Sequence, residues 1–118
     1  MRVAIPELFG KVNPHFGQST NFSIIDLNNS EIVGMKTISA HGLQHKYDQT
    51  AQLLQANQVD VVLAGKINKK CFNTLKNYGF LVISGVDGDI ISAAIAYAQG
   101  ELINYEYNCS RKERCRPA

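Results

Sequence analysis

Three histidines, three cysteines and a lysine-bearing turn are the chemically versatile groups of this 118-residue chain. His15 lies in NPHFGQST (13–20) and His41 in AHG (40–42), each close to a glycine. Imidazole ligates transition metals, and glycine lets backbone N–H groups approach an anionic ligand. A shared soft-metal or metallocluster site is one reading of the pair. The other is that both are turn residues making ordinary hydrogen bonds. His45 follows in HGLQH, but Gly42 and a helix start intervene, so a plain surface position is its simpler expectation.

GKINKKC (65–71) follows an apolar run and precedes a helical pattern. It lacks the GxxxxGK[ST] frame of a phosphate loop. A strand end, Gly65, Lys66 and Lys69 beside a helix start still favour an anion, as does any such helix N-terminus. Cys71 falls in the first turn of that helix, where a thiolate is favoured and a soft ligand can face the loops. The alternative is a small buried hydrophobe against the sheet. Cys109 and Cys115 belong to a polar, basic end. No zinc-like cysteine pairing, HExxH or nucleophile elbow is present, and nothing in the spacing selects His15 with Ser19 or Ser84 as a base–nucleophile pair.

These residues need elements to position them. RVAI (2–5) reads as a buried strand closed by Pro6, followed by a long loop to residue 19. NFSIIDL (21–27) and EIVGMKTIS (31–39) read as a hairpin, with Ile32, Met35 and Ile38 apolar and Gly34 at a bulge or edge. Residues 45–58 carry helical periodicity, with Tyr47, Thr50, Ala51 and Leu54 on one face. VDVVLAG (59–65) is the pattern of a central strand covered on both sides. Asn68 is placed to cap a helix over KKCFNTLKNYG, burying Phe72 and Leu75. FLVIS (80–84) is a further strand. Asp87 or Asp89 then caps IISAAIAYAQG, with Ile91, Ala94, Ile95 and Ala98 inward. Strand-helix alternation in the second half requires parallel pairing through crossovers. The expected architecture is a single mixed α/β sheet flanked by helices, with ligands at the carboxyl ends of the parallel strands.

Composition narrows the function. With 12 basic and 10 acidic residues the net charge is +2, and Arg111, Lys112, Arg114 and Arg116 near the end supply most of the imbalance. No basic stripe with interleaved aromatics points to specific nucleic-acid binding. Every apolar run is too short to span a membrane, and MRVAIPELFG is too briefly apolar for a secretory signal. A cytoplasmic location is the expectation.

MRVAIPELFGKVNPHFGQSTNFSIIDL resembles the opening of the dinitrogenase iron–molybdenum cofactor biosynthesis family, the small NifX- and NifB-C-terminal-like domains. The likeness continues through AHG, VDVVLAG, FLVISG and AIAYAQGEL. It divides the chain into a domain over 1–103 and a polar basic tail over 104–118. The resemblance implies a ribonuclease H-like fold without nuclease activity. It also implies a non-enzymatic binding or carrier protein for an iron–sulfur or molybdenum-containing cluster, partnered by proteins that donate or accept it. The histidine of the family's HFG matches His15, and that of its second glycine loop matches His41. The candidate cargo-binding set is thus His15, Phe16, Gly17, His41, Gly42, Gly65 and Lys66, with His15, His41 and Cys71 as candidate metal ligands. GKIN departs from the more glycine-rich turn of the family. That turn and the basic end leave room for a regulatory or protein-interaction domain without a cluster, and a small hydrolase or nucleotide-binding enzyme is the third reading.

Overall fold

The computed structural model describes residues 1–29 and 31–100. Its strands are β1 (Arg2–Leu8), β2 (Lys11–Val12), β3 (Asn21–Asn28), β4 (Glu31–Ser39), β5 (Val61–Leu63) and β6 (Leu81–Ile83). Its helices are α1 (Tyr47–Ala56), α2 (Lys69–Asn77) and α3 (Ile90–Ala98), and a 3-10 turn covers Phe16–Gln18. The five long-range strands run in the order β4-β3-β1-β5-β6. β1, β3 and β4 pair antiparallel, whereas β1, β5 and β6 pair parallel. β2 folds back on the end of β1 as a short ribbon.

Period-two alternation sorts the apolar side chains into two cores. Ala4, Phe22, Ile24, Val62 and Val82 face Ala51 and Leu54 of α1 and Cys71, Phe72 and Leu75 of α2. Val3, Ile5, Ile25, Val61, Leu63 and Ile83 face Ile90, Ala93 and Ala94 of α3. β1 and β5 therefore lie in the middle of three layers, and their near-continuous apolar character follows from burial on both faces. Asn68 caps α2 by accepting from the Cys71 N–H at 2.8 Å, and Asp89 caps α3 by accepting from Ser92 at 3.0 Å. Away from the loops discussed below, Arg2 clasps the sheet, its Nε donating to Asp26 at 2.6 Å and its Nη1 to the Asn57 carbonyl at 2.7 Å. The Arg2 hydrogen bond holds the Asp26 carboxyl below its usual range. That contribution is present at neutral pH and disappears on acidification through the lowered value.

The mixed sheet, the three helices, the Asn68 and Asp89 caps and the Gly34 bulge agree with the sequence reading. The register between β3 and β4 shifts after Asp26, which pairs with Gly34 while Leu27 pairs with Ile32. Other expectations change. Pro6 does not close β1: it pairs with Phe22 inside the strand, beyond the last residue that pairs with β5. A proline lacks a ladder donor, so a position with no parallel neighbour tolerates it. The supposed loop from 6 to 19 contains the end of β1, the β2 ribbon and the 3-10 turn. Met35 is exposed on the edge strand, and α3 rotates Ile91 outward in favour of Ile90 and Ala93. The ribonuclease H-like expectation is corrected to an α/β mixed sheet with helices on both faces. The sheet joins an antiparallel β4-β3-β1 half to a parallel β1-β5-β6 half, and the turn before β2 is tied to the start of α3 by Ile90 N–H donating to the Gly10 carbonyl at 3.2 Å. Cys109, Cys115 and the rest of the 104–118 tail lie outside the described residues.

Leu54 is fully buried between α1 and the sheet. Leu54→Ala removes its methyl groups without space-filling relaxation and is expected to cost about 3 kcal/mol, as large-to-small core changes do. Urea unfolding followed by circular dichroism measures it.

Candidate functional site

The loop from Asn13 to Ser19 is stitched to the end of β5 by backbone hydrogen bonds. Lys66 N–H donates to the Pro14 carbonyl at 2.8 Å, and Phe16 N–H donates to the Lys66 carbonyl at 3.1 Å. His15 and Lys66 thereby form a short parallel bridge. Within the loop, the Asn13 side chain accepts from the His15 N–H at 2.9 Å, and the 3-10 turn closes with Ser19 N–H donating to Phe16 at 3.1 Å. Phe16 is buried and its ring tilts against Phe22 at a centroid distance of 5.4 Å. It anchors the turn to the sheet while His15, next to it, stays exposed.

Gly65 makes this approach possible. A Cβ there would lie 3.0 Å from both the Asn13 carbonyl oxygen and Pro14 Cα, which are backbone atoms and cannot swing aside. A third loop joins from the far side, with Gly85 N–H donating to the Gly65 carbonyl at 2.9 Å and Val12 N–H donating to Gly88 at 2.8 Å. The ends of β1, β5 and β6 are thus one continuous hydrogen-bonded rim.

Two clefts flank the His15–Lys66 ridge. The first, of about 430 Å³, is lined by His15, Gly17, His45, Tyr47, Lys66 and Asn68 among others. The second, of about 510 Å³, lies toward α3 and includes Pro14, Gly65, Gly85 and Gly88, again with His15 and Lys66. The first cleft gathers two imidazoles and an ammonium, and its lining contains no carboxylate. Its lysine charge, unopposed in the lining, attracts anions. Among the described residues, no group of three or more His, Cys, Asp or Glu side chains is arranged to hold a metal ion.

The structure brings His15, Phe16, Gly17 and Lys66 together at this cleft, and Gly65 just beneath it. His41 and Gly42 are exposed in the preceding turn and do not line it. Their polar contacts are local, His41 N–H donating to Ser39 Oγ at 3.2 Å and Gly42 N–H to Gln44 Oε1 at 3.0 Å. Cys71 belongs to the core, where burial pushes its thiol up to about 12. It faces the sheet as a hydrophobe and does not reach the cleft lining.

His45 is the residue that sequence reasoning set aside. Its N–H donates to the Gly17 carbonyl at 2.8 Å, tying the start of α1 to the first loop. Its φ of +63° is left-handed, a conformation that costs a non-glycine residue roughly 1 kcal/mol. A Cβ on Gly17 would come within 3.3 Å of His45 Nδ1, so this glycine serves side-chain approach. The His45 and Tyr47 rings meet edge to face at 6.5 Å. HGLQH held the signal, but a sequence does not show which of its two imidazoles the 40–46 turn places at the cleft.

A family model described as dinitrogenase iron-molybdenum cofactor matches residues 1–100. An uncharacterized protein of Methanocaldococcus jannaschii is 27% identical over 109 residues, covering 90% of this chain and 92% of its own. Among solved structures, the crystal structure of the protein PH0822 superposes with a TM-score of 0.80 at 24% identity, covering 92% of this chain and 96% of the other. The solution structure of a putative NifB protein from Thermotoga, of the DUF35 family, gives 0.67 at 25% identity, covering 89% and 93%. These neighbours overturn the ribonuclease H-like expectation, since the architecture shared with them is the mixed sheet with helices typical of NifX- and DUF35-like proteins.

Two outcomes follow from this geometry. Gly65→Ala forces the first loop off the end of β5 and is expected to lower stability by about 1–3 kcal/mol, the usual range for overpacking; thermal and urea unfolding report it. In a Cys109→Ser, Cys115→Ser background, Cys71 is expected to resist iodoacetamide at pH 8 until denaturant is added, and rapid labelling of the folded protein would contradict its placement.

Proposed function

Because the chain belongs to the dinitrogenase iron–molybdenum cofactor family, we propose that it binds and carries an anionic metal–sulfur cluster as cargo in the cleft walled by His15, His45 and Lys66. The role is related to that of carrier proteins in nitrogenase cofactor biosynthesis. The observation that carries the proposal is the convergence of two imidazoles and an ammonium, unopposed by any carboxylate in the cleft lining, at the carboxyl ends of parallel strands. Ligand binding at such strand ends is the general tendency of open α/β sheets.

The donor set defines the manner of holding. Two exposed imidazoles and one lysine are fewer ligands than a closed structural site for a bare zinc ion uses. They fit a preassembled cluster that brings its own sulfides and presents negative charge outward. Lys66 supplies Coulomb attraction, the imidazoles supply ligation or hydrogen bonds, and the hydrogen-bonded rim keeps all three at a fixed spacing. An iron–sulfur or molybdenum-containing cluster satisfies this description. Open clefts on both sides of the ridge suit a cargo that must be received from one protein and surrendered to another, without chemical conversion on the way.

Anaerobic titration of the full chain with an iron–sulfur or molybdenum–sulfide cluster tests the reading. His15→Ala, His45→Ala and Lys66→Ala are each expected to weaken binding about tenfold, the scale of one charge-assisted contact. His41→Ala is expected to bind as the parent does. Equal affinity in all four variants would remove the cleft from consideration, and a loss confined to His41→Ala would move the site to the AHG turn.

A further inference from the structure

We propose that the Tyr47 hydroxyl is a hydrogen-bond donor to the cargo, aimed by Asn68, and that among metal–sulfur clusters it favours those presenting a terminal oxo group at this wall. The proposal rests on the reading of the cleft as the cargo site.

Asn68 has little freedom of orientation. Its Oδ1 accepts from the Cys71 N–H at 2.8 Å as the cap of α2. The other end of the amide, Nδ2, then donates to the Tyr47 hydroxyl oxygen at 2.7 Å. Reversing the amide would set an N–H group against the Cys71 N–H, so the cap determines the assignment. An amide nitrogen only donates, and the Tyr47 oxygen must therefore accept. A phenolic oxygen prefers to place its own hydrogen near the ring plane, and acceptance from Asn68 on one side turns that hydrogen to the other. Among the described residues, the Tyr47 hydroxyl accepts from Asn68 Nδ2 and donates to no protein acceptor.

Position gives this hydrogen a use. Tyr47 and Asn68 both line the cleft that holds His15, His45 and Lys66. The edge-to-face contact with His45 restrains the phenol ring, and its place in the first turn of α1 fixes its root. Lys66 supplies charge there, which acts over distance and distinguishes anions poorly. A single oriented O–H is directional and responds to acceptor strength. Oxygen accepts such a bond more strongly than sulfur, so the hydroxyl distinguishes terminal oxo from terminal sulfido groups on anions of the same shape and charge.

Molybdate and tetrathiomolybdate form such a pair of probes. Their dissociation constants are to be measured by equilibrium dialysis on the full chain and on Tyr47→Phe, which removes only the hydroxyl. The expected result is about a tenfold loss for molybdate, as for one hydrogen bond to a charged acceptor, with a clearly smaller loss for tetrathiomolybdate. Asn68→Ser keeps an α2 cap but cannot reach the phenol, and is expected to shift the ratio in the same direction by a smaller factor. Equal losses for both anions, or no loss, in a Tyr47→Phe protein with parental melting temperature would overturn the proposal. If His15→Ala and Lys66→Ala weaken both anions while Tyr47→Phe leaves the ratio unchanged, only the role of Tyr47 fails. If wild type binds neither anion, or those two variants bind both as tightly as wild type, the reading of the cleft fails with it.

Discussion

The loops at the carboxyl ends of the parallel strands depend on one close contact, the backbone of Asn13 and Pro14 lying against Gly65. Three-ångström approaches leave no room for a side chain there, and the two hydrogen bonds between Pro14, Phe16 and Lys66 hold the loops in register. The contact has consequences on both sides of the sheet. It lifts His15 and Lys66 into a common ridge, presses Phe16 into the core below, and leaves a cleft on each flank. A looser join would let each loop choose its own conformation, and the cationic groups would no longer share a surface.

The ridge also explains why a short loop contains both a histidine and a phenylalanine. Phe16 contributes burial against Phe22, which offsets the conformational entropy lost in ordering the turn. Its neighbour can then remain exposed at a fixed place. The same division recurs ahead of α1, where Leu43 packs against the core while His45 stands outside it. The backbone bond from His45 to Gly17 couples these two loops, so the imidazoles are held by main chain, not by each other. Positioning by main chain leaves both side chains available to a ligand.

Much of the fold was legible because burial on two faces leaves a plain trace. VDVVL and RVAI are apolar at every position or nearly so, which only a central strand between helices requires. Asn68 and Asp89 announced their helices by chemistry that has a single local function at those places. The β2 ribbon was not legible, since two residues carry no periodicity, and neither was Pro6 inside a strand, whose tolerance depends on where β5 stops. At the clefts, His15, Gly65 and Lys66 were visible through their position after parallel strands. The exchange of His41 for His45 was not, because it turns on the path of the 40–46 turn, and Leu43, Ala40 and the left-handed His45 set that path through contacts distant in sequence. At Cys71 the buried-hydrophobe reading holds: a helix start favours a thiolate, but desolvation against the sheet is the larger effect and keeps the thiol neutral.

Helix capping and the orientation of Tyr47 meet in Asn68. A serine or aspartate would cap α2 comparably, but neither offers a donor at the far end of a planar amide. With its oxygen committed to Cys71, the asparagine presents its N–H₂ to the Tyr47 hydroxyl oxygen. The GKIN turn, which departs from a more glycine-rich pattern, exchanges backbone adaptability for this directed side-chain arrangement. A turn of glycines would wrap a ligand with N–H groups and accept many shapes. Lys66 and Asn68 instead place an ammonium and an oriented amide at the cleft wall.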